Sequence, residues 1–170
     1  RDVGTSAYAR HESTSVLCLA WCFMDVGSIS EVSLWAPEDP LPDDLFKAIW
    51  EGDEVHAHNA AFERNIWRHV CEKRMDWPSV PDGQWRCSAA ACARLALPRS
   101  LEKACLALGL QEQKDDTGHK IMMRLSKPKK PSKKDPSIWD NDPAKFQILY
   151  DYCKQDVRAE AELIQTIEPL

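Results

Sequence analysis

The sequence has no C-x-x-C pair, no apolar run long enough to cross a membrane, no signal peptide and no internal repeat. The first absence, in a chain of 170 residues with seven cysteines, weighs against a zinc ribbon built on C-x-x-C pairs. Cys18 and Cys22 share one face of a predicted strand and Cys87 and Cys92 stand five apart, and neither pair has zinc-ligand spacing. An odd, scattered set of this kind reads as reduced thiols packed inside an intracellular protein. The lack of a repeat excludes a solenoid. What remains is one domain with a sizeable core, at 44% apolar and 29% charged residues. The sequence opens on Arg1 rather than Met, so an excerpt of a longer protein is expected.

One stretch lacks acids altogether. Arg124, Lys127, Lys129, Lys130, Lys133 and Lys134 are the charges between positions 124 and 134. The net charge is −5, so these six cations leave −11 on the remainder. An acidic body with one basic loop (126–136) suits a metal site beside a nucleic-acid contact, or else a solvated loop.

Along the chain, a helical turn is expected over Ala7–Arg10. Ser15–Met24 is apolar at nearly every position, which predicts a strand buried on both faces. Asp25-Val-Gly27 predicts a hairpin turn into a strand over Ser28–Trp35. Asp43–Trp50 reads as an amphipathic helix stopped by Gly52. Glu54–His58 reads as a strand, followed by an Asn59 cap and a helix over Ala60–Met75 striped by Phe62, Ile66, Trp67 and Val70. A short strand is expected at Trp85–Cys87, then helices over Ser88–Leu95 and Ser100–Leu108. Ile121, Met122 and Leu125 have helical spacing. The last helix begins at Asp142 or Pro143 and carries Tyr152 and Asp156 four residues apart, on one face. A phenol beside a carboxylate on one face is either a surface pair or half of a metal site in which the carboxylate holds the ion and the phenol a water.

Two acidic motifs therefore stand far apart: His58-Asn-Ala-Ala-Phe62-Glu63 and Tyr152-x-x-x-Asp156. Together they resemble the second and third motifs of the DnaQ-like 3′–5′ exonucleases of the tyrosine type, in the ribonuclease H-like superfamily. Ser100–Leu110 and Lys114–Pro128 resemble the proofreading region of phage-type DNA polymerases similar to family A. The resemblance implies an α/β fold, a ribonuclease H-like mixed sheet flanked by helices, over one exonuclease-like domain at 1–170. It implies two-metal hydrolysis of 3′-terminal phosphodiesters of single-stranded DNA, with Mg²⁺ or Mn²⁺. Asp156 and Glu63 would be metal ligands, with Tyr152 orienting the attacking water. Asn59 and Phe62 would place the last nucleotide, unless Phe62 is simply core, and Lys127, Lys129 and Lys130 would contact the strand. The implied partners are a DNA 3′ end and a following polymerase domain, in the cytoplasm of a bacterial or phage-infected cell, with no membrane.

Two departures matter. Glu63 stands where the family has Asp. No Asp-x-Glu, the family's first motif, occurs anywhere in the sequence. That motif lies on the first, central strand of the family's sheet, which is therefore expected upstream of Arg1. Without it, the chain is expected to be inactive and poorly stable. A ribonuclease D-like enzyme acting on RNA, and a non-catalytic nucleic-acid-binding domain of the same fold, stand as alternatives.

Overall fold

A computed structural model describes residues 4–110, 115–131 and 136–168. It is a mixed α/β structure built as strands, then a crossover unit, then helices. Helix α1 (Thr5–Arg10) leads to β1 (Leu19–Trp21), β2 (Met24–Asp25), β3 (Ser28–Ile29) and β4 (Ser33–Trp35). The two-residue turn Val26-Gly27 closes β2 onto β3, and Gly27 takes the left-handed φ of 79° that such a turn needs. β1 pairs antiparallel with β4 through Leu19–Trp35 and Trp21–Ser33.

Helix α2 (Asp43–Glu51) has acids in its first turn and ends at Gly52, whose N–H donates back to Ala48 and Ile49. β5 (Val55–Ala57) pairs in parallel with β6 (Trp85–Cys87). The crossover between them runs through α3 (Ala61–Ile66), a π turn (Trp67–Cys71) and α4 (Glu72–Met75). Helices α5 (Ser88–Arg94), α6 (Leu101–Ala107) and α7 (Asp116–Leu125) follow, and α8 (Pro143–Ile167) closes the chain. No helix among the described residues is long and apolar enough to cross a membrane.

Two cores hold these parts. In one, Trp77 is the hub, with its ring edge-on to Trp35, Phe46 and Trp67 at centroid separations of 4.8, 5.2 and 5.4 Å. Ile49, Cys71 and Val80 complete it. The Trp67 indole N–H donates to the Pro78 carbonyl at 2.8 Å, so this buried ring also has its polar group satisfied. The other core joins Cys92, Ala104 and Cys105 to Leu163 and Ile167 of α8. All seven cysteines are free.

Several expected elements differ. Instead of one mixed sheet, the described residues make three separate two-stranded sheets, β1–β4, β2–β3 and β5–β6. The strand expected over Ser15–Met24 is regular only at Leu19–Trp21 and again at Met24, where β2 begins, and no residue from 15 to 24 is buried. The reason is a cleft of about 2230 Å³. Residues of β1, β5 and α8 all contribute to its lining. A strand apolar on both faces thus has an open flank. The expected strand at Ser28–Trp35 breaks at Ser30, whose hydroxyl accepts from the Phe23 N–H at 2.9 Å. The expected Asn59 cap is absent: Asn59 is exposed with a left-handed φ of 67°, and the N-cap of α3 is Ala60, with no side-chain bond. Lys133 and Lys134 lie outside the described residues, as does Lys114.

Because Trp77 joins the three other rings of the first core, Trp77→Ala should cost about 3–5 kcal/mol in urea unfolding, the range for deleting a buried aromatic. A loss below about 1 kcal/mol would mean that the aromatic core is not the main support of this half.

Candidate active site

Helix α8 is the floor of the cleft. Asp142 caps it by accepting from the Ala144 N–H at 3.1 Å, and Pro143 occupies the first turn, where its missing N–H costs nothing. The 25-residue helix contains no other proline and no glycine, so its face stays in register. Tyr152, Asp156 and Glu160 succeed one another at four-residue steps along that face, and all three line the cleft. Glu63 and Phe62, from the first turn of α3, line it from the other wall.

The structure therefore brings Tyr152, Asp156 and Glu63 to one cleft. Asn59 does not line it. Phe62 is 38% exposed, so it is not a core residue. Lys127 sits at the rim, between Ser126 and Pro128, which both line the cleft. Lys129 donates its backbone N–H to Ile138 at 2.7 Å, and Lys130 is exposed on the same loop. The loop's two ends are held by Asp140, which receives Arg124 at 3.0 Å and Lys145 at 2.7 Å.

The carboxylates sit in one another's fields. Burial pushes Glu63 up to about 7, helped by the nearby charge of Glu160. Its Oε2 is buried and has no hydrogen-bond partner. Burial also raises Asp156, against the opposing pull of the Tyr152 hydroxyl, which donates to it. Tyr152 is driven up to about 12 by burial and by the Asp156 charge beside it. Glu160 is raised by burial, while the Ser88 hydroxyl and the His58 backbone N–H favour its charged form.

Glu160, Ser88 and His58 form a chain. The Ser88 hydroxyl is 2.8 Å from Glu160 Oε1 and 2.9 Å from His58 Nδ1, and His58 Nε2 is 2.7 Å from the Arg99 carbonyl. Nε2 faces an acceptor and must carry a proton. Ser88 has a single proton to give to Glu160 or to Nδ1. The chain is fully bonded only when it holds one further proton, on Nδ1 or on Glu160. Burial disfavours the charged form of both His58 and Glu160. The chain ties α8 to the ends of β5 and β6.

Gly118 fixes the third wall. It is buried where α7 crosses α8. A Cβ there would lie 2.4 Å from Asp115 Oδ2 and 2.5 Å from Tyr152 Cδ2. The Asp115 carboxylate caps α7 by accepting from the Gly118 N–H at 2.8 Å. This close crossing brings Asp115 and His119 into the field of Asp156. The sequence reading missed Glu160, Ser88 and Gly118. A four-residue step beyond Asp156 was the available signal for Glu160, and a glycine just ahead of the helically spaced Ile121, Met122 and Leu125 was the signal for Gly118.

Among the described residues, no three His, Cys, Asp or Glu side chains come together in a way that would hold a metal ion. The donors facing the cleft are hard carboxylate oxygens, the type that Mg²⁺ and Mn²⁺ take, but they do not close a site by themselves.

A mixed α/β domain with an acidic helix face along an open cleft is the class that the geometry defines. In sequence the chain is similar to the DNA polymerase of Bacillus phage SP02, with 31% identity over 175 aligned residues. The match covers 98% of this chain and 26% of the phage protein, so the chain spans about a quarter of that relative. No protein-family model and no solved structure matches the chain.

Two outcomes are expected. Glu63 keeps its proton in the folded state up to about 7, whereas it loses it near 4.5 when unfolded. Metal-free stability should therefore fall as pH rises between these values and level off above, with Glu63→Gln removing that slope in urea titrations. At an exposed helix position Gly→Ala stabilises by up to about 1 kcal/mol. Here Gly118→Ala should instead destabilise by about 1–3 kcal/mol, as overpacking does. It should also release Tyr152 to ionise nearer the ordinary tyrosine value in an ultraviolet titration; a stabilised variant with an unchanged phenol would refute the contact.

Proposed function

We propose that this chain is the 3′–5′ exonuclease domain of a DNA polymerase, acting on the 3′ ends of single-stranded DNA. The observation that carries the reading is the meeting of Asp156, with its Tyr152 hydrogen bond, and Glu63 across one cleft. The similarity of nearly the whole chain to a protein named a DNA polymerase supports it, and favours DNA over RNA as substrate.

The fold belongs to the same proposal. β1 is paired on one side with β4, and β5 on one side with β6. Both border the same cleft, together with the Trp21 indole N–H, which is buried without a partner. In a continuous sheet, two strands separated by a third stand about 9–10 Å apart, and the third satisfies both open edges. A strand placed here would join the β1–β4 and β5–β6 sheets into one ribonuclease H-like sheet. Carrying Asp-x-Glu, it would bring two more carboxylates to Asp156 and Glu63.

The proposed cofactor is Mg²⁺ or Mn²⁺, which in such enzymes activates water and stabilises the leaving oxygen. The described residues do not complete that site, so no step is assigned through it. What they do is bounded: Asp156 and Glu63 offer negative charge from two walls, and Tyr152 holds a proton on Asp156's side of the cleft. Gly118 keeps the phenol in place. A second reading, a non-catalytic nucleic-acid-binding domain, is favoured by the absence of a three-ligand group among the described residues.

The test extends the chain ahead of Arg1 with a strand bearing Asp-x-Glu and assays 5′-labelled single-stranded DNA with Mn²⁺. The chain as it stands should be inactive. The extended chain should shorten the DNA from its 3′ end, and Asp156→Ala should lower kcat by about 10²–10³-fold, as loss of a transition-state contact does. Equal activity with and without the added strand would sink the missing-carboxylate argument; an inert extended chain that still binds DNA would favour the second reading.

A further inference from the structure

Two thiols meet where α8 packs on β1. Cys153 stands on α8, one residue after Tyr152, and Cys18 immediately precedes β1. Their side chains hydrogen-bond to each other, and the Cys153 sulfur also receives the Ala20 N–H of β1. Cys22, one residue past β1, lies in the field of Arg158 and Glu160, so the two cysteines flanking the strand meet α8 at successive levels. Neither Cys18 nor Cys153 enters the two cores described above. Both are free and half-buried, and both line the open cleft. A structural cysteine is sealed in packing, as Cys92 and Cys105 are, whereas this pair can be reached from the cleft.

The two sulfurs are not equivalent. The Cys18 S–H donates to Cys153, which favours charge on Cys153 and holds it below the ordinary thiol range. The Ala20 N–H works in the same direction, while burial and the Asp156 carboxylate oppose it. The same hydrogen bond, together with burial, pushes Cys18 up. Of the other thiols that line the cleft, burial pushes Cys22 up and Cys71 up to about 12. Thiolate character therefore gathers on the one sulfur that already has a second sulfur beside it.

We propose that Cys18 and Cys153 are a redox-sensitive pair that closes to a reversible disulfide under hydrogen peroxide, fastening α8 to β1. The Cys153 thiolate attacks one peroxide oxygen, the O–O bond breaks, and hydroxide leaves, so that Cys153 becomes a sulfenic acid. The Cys18 sulfur then attacks the Cys153 sulfur, and the sulfenic oxygen departs as water with the Cys18 proton. The two thiols lose two electrons, and the peroxide is reduced to two waters. Hydrogen-bonded sulfurs need only a short approach to reach the disulfide length of about 2.05 Å. The bond would close a loop holding most of the chain, which restrains the unfolded state. It would also fix β1 to the helix that carries Tyr152 and Asp156. The inference needs only the sulfurs, the cleft and an oxidant, and so stands apart from the nuclease reading.

The experiment treats the whole reduced chain with stoichiometric hydrogen peroxide, blocks the remaining thiols with N-ethylmaleimide, digests without reduction and reads the peptides by mass spectrometry. The expected product is a peptide pair joined through Cys18 and Cys153, two hydrogens lighter than its parts and released by dithiothreitol. Oxidation should raise the urea midpoint of the parent chain. Cys18→Ser and Cys153→Ser should each lose both the link and the rise. In Cys18→Ser the sulfenic acid on Cys153 has no resolving sulfur and should be trapped by dimedone, a signature that a thiol kept only for packing would not give. A parallel sample of the parent is oxidised in urea, where chain statistics set the pairing. If native oxidation leaves Cys18 and Cys153 unlinked, or links them no more often than oxidation in urea does, the pair is overturned. That comparison uses the parent alone, so it decides the matter even if a serine variant fails to fold.

Discussion

Two strand edges border a gap, and helix α8 spans it. β1 and β5 each find one partner among the described strands and do not pair with each other, so no main-chain ladder links their two sheets. Their association rests on side chains instead. Leu163 and Ile167 of α8 are buried with α5 and α6, and α8 also packs on β1 and β4. Gln165 Nε2 bonds the Asp25 and Ser28 carbonyls at 3.1 and 2.8 Å, and so holds the β2–β3 hairpin to the same helix. Backbone ladders are cooperative and satisfy polar groups that are costly to strand. A fold that replaces one by a single helix leaves its sheet edges exposed to any extended segment that fits.

That same gap explains the electrostatics. Glu63, Asp156 and Glu160 lose water to burial, and each is raised for that reason. The hydrogen bonds that relieve them come from neutral donors: the Tyr152 hydroxyl, the Ser88 hydroxyl and backbone N–H groups. Neutral donors offset less than charged ones. The cleft is thus poised to take up positive charge, and the direction of every one of these shifts says the same thing. The Glu160–Ser88–His58 chain is the local exception, because it balances its charge by keeping one proton inside itself.

Much of the domain was legible because its signals are local. Gly27, Gly52, Asp142 and Pro143 mark their turn and helix ends by backbone requirements that few residues meet. The i, i+4 pairing of Tyr152 and Asp156 needs only a helix to be true, and the helix formed. What was not legible depends on partners distant in sequence. Apolarity on both faces of Ser15–Met24 predicts burial, yet burial needs a neighbour on each side, and β1 has one. Asn59 has a cap's chemistry, but its left-handed backbone moved the helix start to Ala60 and Ala61. Glu160 had the right spacing, but its place in the site is defined by Ser88, which is 72 residues away.

The placement of Phe62 shows how one irregular turn alters a helix reading. A regular helix over Ala60–Met75 would put Phe62, Ile66 and Val70 on one stripe facing one core. The chain instead widens into a π turn at Trp67–Cys71. Such a turn holds one more residue than an α turn, so it rotates the residues after it relative to those before it. Within the turn, Trp67, Val70 and Cys71 are buried, with Trp67 and Cys71 in the Trp77 core. Upstream, Phe62 and Glu63 turn to the cleft and meet Tyr8 and the acids of α8. Ile66, Trp67 and Cys71 line the cleft as well, so the helix keeps one side on the cleft along its length while the wide turn seats Trp67 and Cys71 in the tryptophan core.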